Sequence, residues 1–284
     1  MHRRMVQRRI GTAILTSMSL VLAFAVQRPA LARSDAEILI DNAAMDGAGP
    51  TFWDGNTSDG CDLSGFTPVD DGEWRSRNDA FDGGLVVGVD GSAFTDPNNY
   101  APFPNGNTWA TGPETLGTTK VIRSDRALQT SPTMQSLITL RNTDSVGHTI
   151  TVEWDSNLGS DGSESVHGSS SGDTTYTQGD RWVVSSDTTQ TDPVLTFVLF
   201  GRHAAEKTFS IVHAPGDSFG CMTVTFSVHL GPGATKYMLF FTEMNGSNSR
   251  ARKSAAKFDS VASGSPLLTG ISTKVQHKIA NWNL

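Results

Sequence analysis

Apolar and polar residues alternate with a period of two through most of the chain, the spacing of half-buried strands. Residues 137–154 read LITLRNTDSVGHTITVEW. Two alternating runs, 137–140 and 149–154, flank the polar segment 142–147. Val, Ile, Thr and Trp suit a pleated surface and Asn, Asp, Ser and Gly suit a reversal, so this stretch predicts a hairpin. Residues 221–230 alternate more cleanly, with Met222, Val224, Phe226 and Val228 on one side and Thr223, Thr225 and Ser227 on the other. Gly231-Pro232-Gly233 then turns the chain into 236–242, a second predicted hairpin. Residues 194–200, VLTFVLF, are continuously apolar and predict a strand covered on both faces. Shorter candidates are 36–40, 85–89 returning as 92–95 across Asp90-Gly91, 117–123 and 127–129 around a Ser-Asp turn, 181–185 and 209–212.

Three tracts interrupt the alternation. Residues 41–71 and 155–180 are dense in Gly, Asp, Asn, Ser and Thr and predict loops. The first is packed down by Phe52, Trp53 and Phe66, and the second is an exposed excursion. Residues 96–113 hold Pro, Asn and Gly with Tyr100, Phe103 and Trp109 spaced through them, the longest irregular stretch expected.

The tail changes period. Ala251, Ala255, Phe258 and Val261 fall at helical spacing, as do Ile271, Val275, Ile279 and Trp282 behind a Thr269 or Ser272 cap. Together these elements predict an all-β fold: an antiparallel β-sandwich, or an enlarged double sandwich, in one domain over 33–284. One or two short C-terminal helices close it from about residue 248.

The first 32 residues read as a signal peptide. Arg3, Arg4, Arg8 and Arg9 form a positive n-region, residues 10–26 are apolar, and Ala30-Leu31-Ala32 is a small-x-small cleavage site. Arg28 and Pro29 interrupt the apolar run and argue against a retained anchor. No later stretch approaches the ~20 apolar residues of a span. The expected protein is secreted or attached to the cell envelope, without a transmembrane span after cleavage. In that compartment the two cysteines, Cys61 and Cys221, form a candidate disulfide, the alternative being a small buried apolar Cys221.

Charge narrows the partners. The 284 residues carry 29 acids and 22 bases, a formal net charge of −7. Without the five arginines of the signal, 17 bases face 29 acids, or −12. Residues 35–100 hold 14 of those acids and only Arg75 and Arg77 as bases. This argues against nucleic acid and an anionic membrane as partners and is compatible with a cation, a basic protein or simple colloidal repulsion.

Asp54, Asp59, Asp62, Asp70, Asp71, Asp79 and Asp82 lie among glycines and asparagines. These are the hard oxygen donors that calcium takes, with Asp79 and Asp82 the tightest pair; the alternative is loop Asp residues capping their own turns. Trp53, Trp74, Tyr100, Phe103 and Trp109 share the acidic half. Stacking on a sugar ring beside Asp and Asn makes Trp53, Trp74, Asp79, Asp82, Tyr100 and Trp109 a candidate ligand-binding set, against simple burial under the loops.

Glu153 faces opposite to Val152 and Trp154. There it is either a carboxyl with a raised pKa, as a general acid needs, or a marker of the solvated face. His203, His213 and His229 fall in the C-terminal strands and could converge, but their spacing matches no metal motif. There is no nucleophile elbow and no phosphate-binding loop. The leading function is an exported non-catalytic module binding a glycan, protein or cation through the loops of 41–113. Its competitors are a secreted carbohydrate-active enzyme using loop carboxylates and a structural envelope protein with no ligand.

Overall fold

Three antiparallel sheets account for the alternating runs. The computed structural model describes residues 36–40, 51–59, 61–75, 77, 79–95, 108–159, 163–189, 191–217 and 220–284. For 36–40, 51–59, 70, 71 and 109 only the backbone is described. The expected signal peptide, Tyr100 and Phe103 lie outside these residues.

The strands are β1 (Ala36–Ile40), β2 (Thr51–Asp59), β3 (Ser64–Trp74), β4 (Val86–Val89), β5 (Ser92–Ala93), β6 (Thr108–Leu116), β7 (Thr119–Ala127) and β8 (Thr133–Asn142). They continue as β9 (His148–Asn157), β10 (Glu164–Ser169), β11 (Trp182–Asp187), β12 (Val194–Val198), β13 (Thr208–His213), β14 (Cys221–Leu230) and β15 (Thr235–Asn245). A seven-stranded sheet runs β10-β11-β12-β15-β8-β7-β6, and a five-stranded sheet runs β13-β14-β9-β4-β5. A third sheet, β1-β2-β3, completes the set. The expected β-sandwich is present, and the β4–β5 hairpin pairs Gly88 with Ala93 and Val89 with Ser92, as the Asp90-Gly91 turn predicted.

Both predicted major hairpins are corrected. β8 pairs with β7 and β15, whereas β9 pairs with β4 and β14. The segment between β8 and β9 therefore crosses from one sheet to the other, and so does the turn between β14 and β15. Alternation fixes which side chains face the core but not whether the next strand lies beside or across from its predecessor. Asn142 ties the two crossings together. Its side-chain amide donates to the carbonyls of Val146 (2.7 Å) and Gly231 (3.0 Å), and its backbone N–H donates to Ala234 (2.9 Å).

Three further expectations change. The tract 41–71 contains β2 and most of β3 rather than loop alone. The tract 155–180 contains the end of β9 and β10, and its Asp155 and Ser156 are fully buried. Thr108–Leu116 is a strand that begins inside the tract 96–113 expected to be irregular and runs past its end. The predicted Ser-Asp turn is also absent, because β7 runs through it. Asp125 faces the core and takes Arg123 Nε at 2.7 Å and the Ser136 hydroxyl at 2.5 Å. Charge alone reads as a reversal; a partnered charge reads as strand.

Between the two large sheets lie Ile138, Leu140, Val152, Trp154, Val224, Phe226, Met238 and Phe240, all buried. Behind the seven-stranded sheet is a second core of Val194, Val198, Leu239 and Phe241 with Ala251, Phe258, Ile279 and Trp282. This is why β12 is apolar on both faces: Leu195 and Phe197 meet the first core, Val194 and Val198 the second. The cover for that second face is α1 (Asn248–Ala255), two 3₁₀ turns (Ala256–Ser260 and Pro266–Leu268) and α2 (Thr273–Gln276). Ser247 caps α1 by accepting from Arg250 N–H. Asn281 anchors the tail to the sheet: its amide donates to Leu199 and Leu239 carbonyls, and its oxygen accepts from Leu239 N–H, each at 2.8 Å.

Candidate functional site

The outer face of the five-stranded sheet collects the titratable side chains. On β9 the residues opposite to Val152 and Trp154 are Glu153 and Asp155. On β14, Thr223 and Thr225 stand beside them, through the pairs Thr223–Asp155 and Thr225–Glu153. β13 adds Ser210, opposite Thr225, and His213, opposite Thr223. Period-two alternation places the β9 and β14 groups on one surface, and the bulge between Ile211 and His213 brings His213 to the same side as Ser210.

The acidic loop preceding β3 lies over one end of that surface. Cys61 is bonded to Cys221, with Cα atoms 6.0 Å apart. The backbone N–H groups of Cys61, Asp62 and Leu63 all donate to Asp155 Oδ2, at 2.9, 3.0 and 2.9 Å. Thr223 Oγ1 donates to Oδ1 at 2.5 Å. Burial still raises the pKa of Asp155 from the ordinary carboxylate value, against the pull of Thr223 and of the Leu63 and Asp62 N–H groups. Asp155 is thus the buried post on which the loop is mounted.

Glu153, two residues earlier on the same face, is half-buried at the edge of the loop. A Cβ on Gly88, its cross-strand partner, would lie 2.6 Å from Leu63 Cδ1 and 3.4 Å from Glu153 Cβ. The absence of a side chain there lets Leu63 settle beside Glu153. Burial is the largest cause of its raised pKa, followed by the negative charges of Asp155 and Asp62. A carboxyl disposed this way holds its proton to higher pH than a surface glutamate, which fits it to donate as well as accept.

His213 completes the group. Its Nδ1 is 2.9 Å from Asp217 Oδ2 and its Nε2 is 3.5 Å from Asp62 Oδ2. Both ring nitrogens of His213 are thus within reach of a carboxylate, one from the loop of 61–63 and one from the turn after β13. The Ser210 and Thr225 hydroxyls lie 2.5 Å apart on the same face. At the bulged edge strand β13, Phe209 is 68% exposed and Val212 55%. The surface offers carboxylates, hydroxyls and an apolar rim in close succession.

The residues singled out from sequence are distributed unequally. Asp62, Glu153 and His213 meet here. His203 and His229 do not join them: His203 follows β12, and His229 sits beside Thr149 Oγ1 at 3.3 Å near the far end of β14. Trp74 is buried, its ring filling the space beside Gly246, with the Arg75 guanidinium 4.7 Å from the ring centre. Asp79 and Asp82 are exposed. Trp53 and Trp109 lie on β2 and β6, and Tyr100 is outside the described residues. Among the described residues no group of three or more His, Cys, Asp or Glu side chains converges as a metal ion needs. Sequence reasoning passed over Asp155 and Asp217. The available signal for Asp155 was its position two residues beyond Glu153, hence on the same face.

No family model matches the sequence, and no curated protein matches it. Solved structures that the chain matches include heparan sulfate lyase HepC from Pedobacter heparinus, at 10% identity and a TM-score of 0.43. That match covers 72% of this chain and 34% of the lyase, so the chain spans about a third of the lyase's length. A putative aldose 1-epimerase from Klebsiella pneumoniae subsp. pneumoniae MGH 78578 matches at 10% identity and a TM-score of 0.37, over 80% of this chain and 92% of that one. A putative kojibiose phosphorylase from human microbiome matches at 13% and 0.38, over 79% and 28%. At these identities and scores the likeness carries no argument about residues or activity. No helix of the described residues is long and apolar enough to cross a membrane.

Proposed function

We propose that this chain is an exported β-sandwich protein that binds a glycan on the polar face of its five-stranded sheet, where the acidic loop at Asp62 meets Glu153 and His213. The observation that carries this reading is the setting of Glu153. It is half-buried beside Gly88, with its pKa raised by burial and by Asp155 and Asp62. Carboxyl groups and the Ser210–Thr225 hydroxyl pair match the hydroxyls of a sugar, and exposed Phe209 offers an apolar edge. The disulfide suits an oxidising compartment outside the cytosol.

Titration calorimetry against hits from a glycan array tests the reading. Glu153→Gln and Asp62→Asn should each weaken binding about tenfold, the effect of a lost charge-assisted hydrogen bond. An array without hits, or affinities unchanged in both variants, overturns it.

The raised pKa of Glu153 also favours a catalytic reading, in which Glu153 protonates a glycosidic oxygen and a neighbouring carboxylate assists. Release of reducing ends from a bound glycan, abolished by Glu153→Gln, selects catalysis over binding alone.

A further inference from the structure

Far from neutral in composition, the protein nevertheless carries one strongly basic hollow. A cavity of about 320 Å³ opens after β12 and is lined by Arg181, Arg202, His203 and Lys207, with buried Phe200 and Gly201 at its base. Arg181 is the one lining cation already engaged: its Nε and Nη2 donate to Asp259 Oδ1 at 2.9 and 2.7 Å. Arg202, His203 and Lys207 are exposed, and no described residue pairs with their side chains. Asp180, next to Arg181 in sequence, is engaged elsewhere. Its carboxylate accepts from Thr177 N–H and hydroxyl (2.9 and 2.8 Å) and from Ser171 N–H (2.8 Å). Glu206 is likewise paired, with Lys236 at 3.2 Å.

The base of the hollow is rigid. Gly201 N–H donates to Asn281 carbonyl at 2.9 Å, and a Cβ on Gly201 would meet the Trp282 ring at 2.5 Å. Trp282 itself is fixed by its indole N–H to Leu239 carbonyl at 2.7 Å. The C-terminal tail thus holds the segment 200–203 in place, including His203 at a φ of +58°, which a residue with a side chain seldom adopts. The charges of Arg202 and Lys207 around one concave space repel each other, and an anion relieves that repulsion.

We propose that this hollow is an oxyanion site, taking a carboxylate, sulfate or phosphate group through Arg202 and Lys207, with Arg181 held ready by Asp259. It is separate from the acidic face of the five-stranded sheet and does not depend on the reading given for that face. A guanidinium forks onto two oxygens while an ammonium supplies a point charge, so the pair suits a group with at least two terminal oxygens.

Calorimetric titration of the protein at fixed ionic strength with sodium sulfate, sodium phosphate, glucuronate and a sulfated monosaccharide tests this, with a neutral monosaccharide as control. At least one anion should bind in the millimolar range or tighter and the neutral sugar should not. Arg202→Ala with Lys207→Ala should weaken binding about tenfold or more, and charge reversal to Glu at both should abolish it. Both positions are exposed, so an unchanged melting temperature shows that the fold persists. Tighter binding of the sulfated sugar or glucuronate than of the inorganic ions identifies a saccharide-borne group, and the reverse order identifies a free ion; both support the site. Absence of binding by every anion at tens of millimolar, or equal binding by the double alanine variant, overturns it.

Discussion

The indole of Trp154 stacks on the ring of Phe240 across the gap between the two large sheets, with centroids 4.2 Å apart and planes 22° apart. Trp154 comes from β9 and Phe240 from β15, and Phe226 meets Phe240 edge-on at 5.5 Å. All three rings are buried to within 1%. This stack is where the sheets are pinned face to face, on the same two strands that the crossings at Asn142 and Gly231 lead into. Phe240→Ala should therefore cost about 3–5 kcal/mol, through lost burial and the cavity left behind. Urea unfolding measures it; a loss below about 1 kcal/mol would show that the sheets close over the void.

Arg123 lies fully buried inside the same core, its guanidinium 5.5 Å from the Trp154 ring centre and 5.4 Å from Phe66. Besides its two bonds to Asp125 it donates to Leu85 carbonyl at 2.5 Å and Phe66 carbonyl at 3.4 Å. It therefore fastens the segments around β3 and β4 to the seven-stranded sheet. Arg123→Met should destabilise by about 3–5 kcal/mol, because Asp125 is left charged and buried with Ser136 as its remaining side-chain donor. Arg123→Met with Asp125→Leu should recover part of that loss in the same unfolding assay. A double variant no better than the single would assign the cost to the Leu85 and Phe66 carbonyls instead.

The fold was largely legible in the alternation and the site only in fragments, for a physical reason. The inward set Met222, Val224, Phe226 and Val228 on β14 is correct because burial imposes the period, and the apolar 194–200 run is covered on both faces as read. Pairing partners are not local, so β8 and β9 were joined as a hairpin when they stand across the core from one another. Buried polar groups caused the remaining errors. Asp125 and Asp155 resemble turn and loop residues until Arg123, or the N–H groups of 61–63, are seen to satisfy them. Glu153 was visible as a carboxylate on a sheet face, but its partial burial and the neighbouring charges of Asp155 and Asp62 belong to the folded chain, with Asp62 ninety-one residues earlier in sequence.

The Cys61–Cys221 bond spans 160 residues and staples the loop of 61–63 to the end of β14. In the chain-entropy account, closing a loop of that length contributes about 4–5 kcal/mol by restricting the unfolded chain. Cys61→Ala with Cys221→Ala should lower stability by roughly 3–5 kcal/mol and free the N–H groups that Asp155 accepts. Amide hydrogen exchange at residues 61–63 gives a second readout: protection should fall there more than in β14 itself. Protection unchanged at 61–63 would mean that Asp155 alone holds the loop.

The pH dependence of stability follows from the carboxyls with raised pKa. Glu153 is one, and Asp155 and Glu243 shift the same way, all chiefly through burial. For such a group the folded state keeps its proton after the unfolded chain has released it. Its favourable contribution is complete below the unfolded value and is lost as pH rises through the folded one. At neutral pH Glu153 is therefore held at a cost that glutamine does not incur. Glu153→Gln should melt higher than the native chain near pH 7 and alike near pH 4, where both side chains are largely neutral. Because Glu153 is only half-buried, the gain should not exceed about 1 kcal/mol, or ~2–4 °C in melting temperature. Calorimetric melts of both proteins across that range decide the point. A variant less stable than the native chain at pH 7 would mean that the carboxylate form makes a contact outweighing its desolvation, leaving Glu153 a structural acceptor rather than an acid poised to give up a proton.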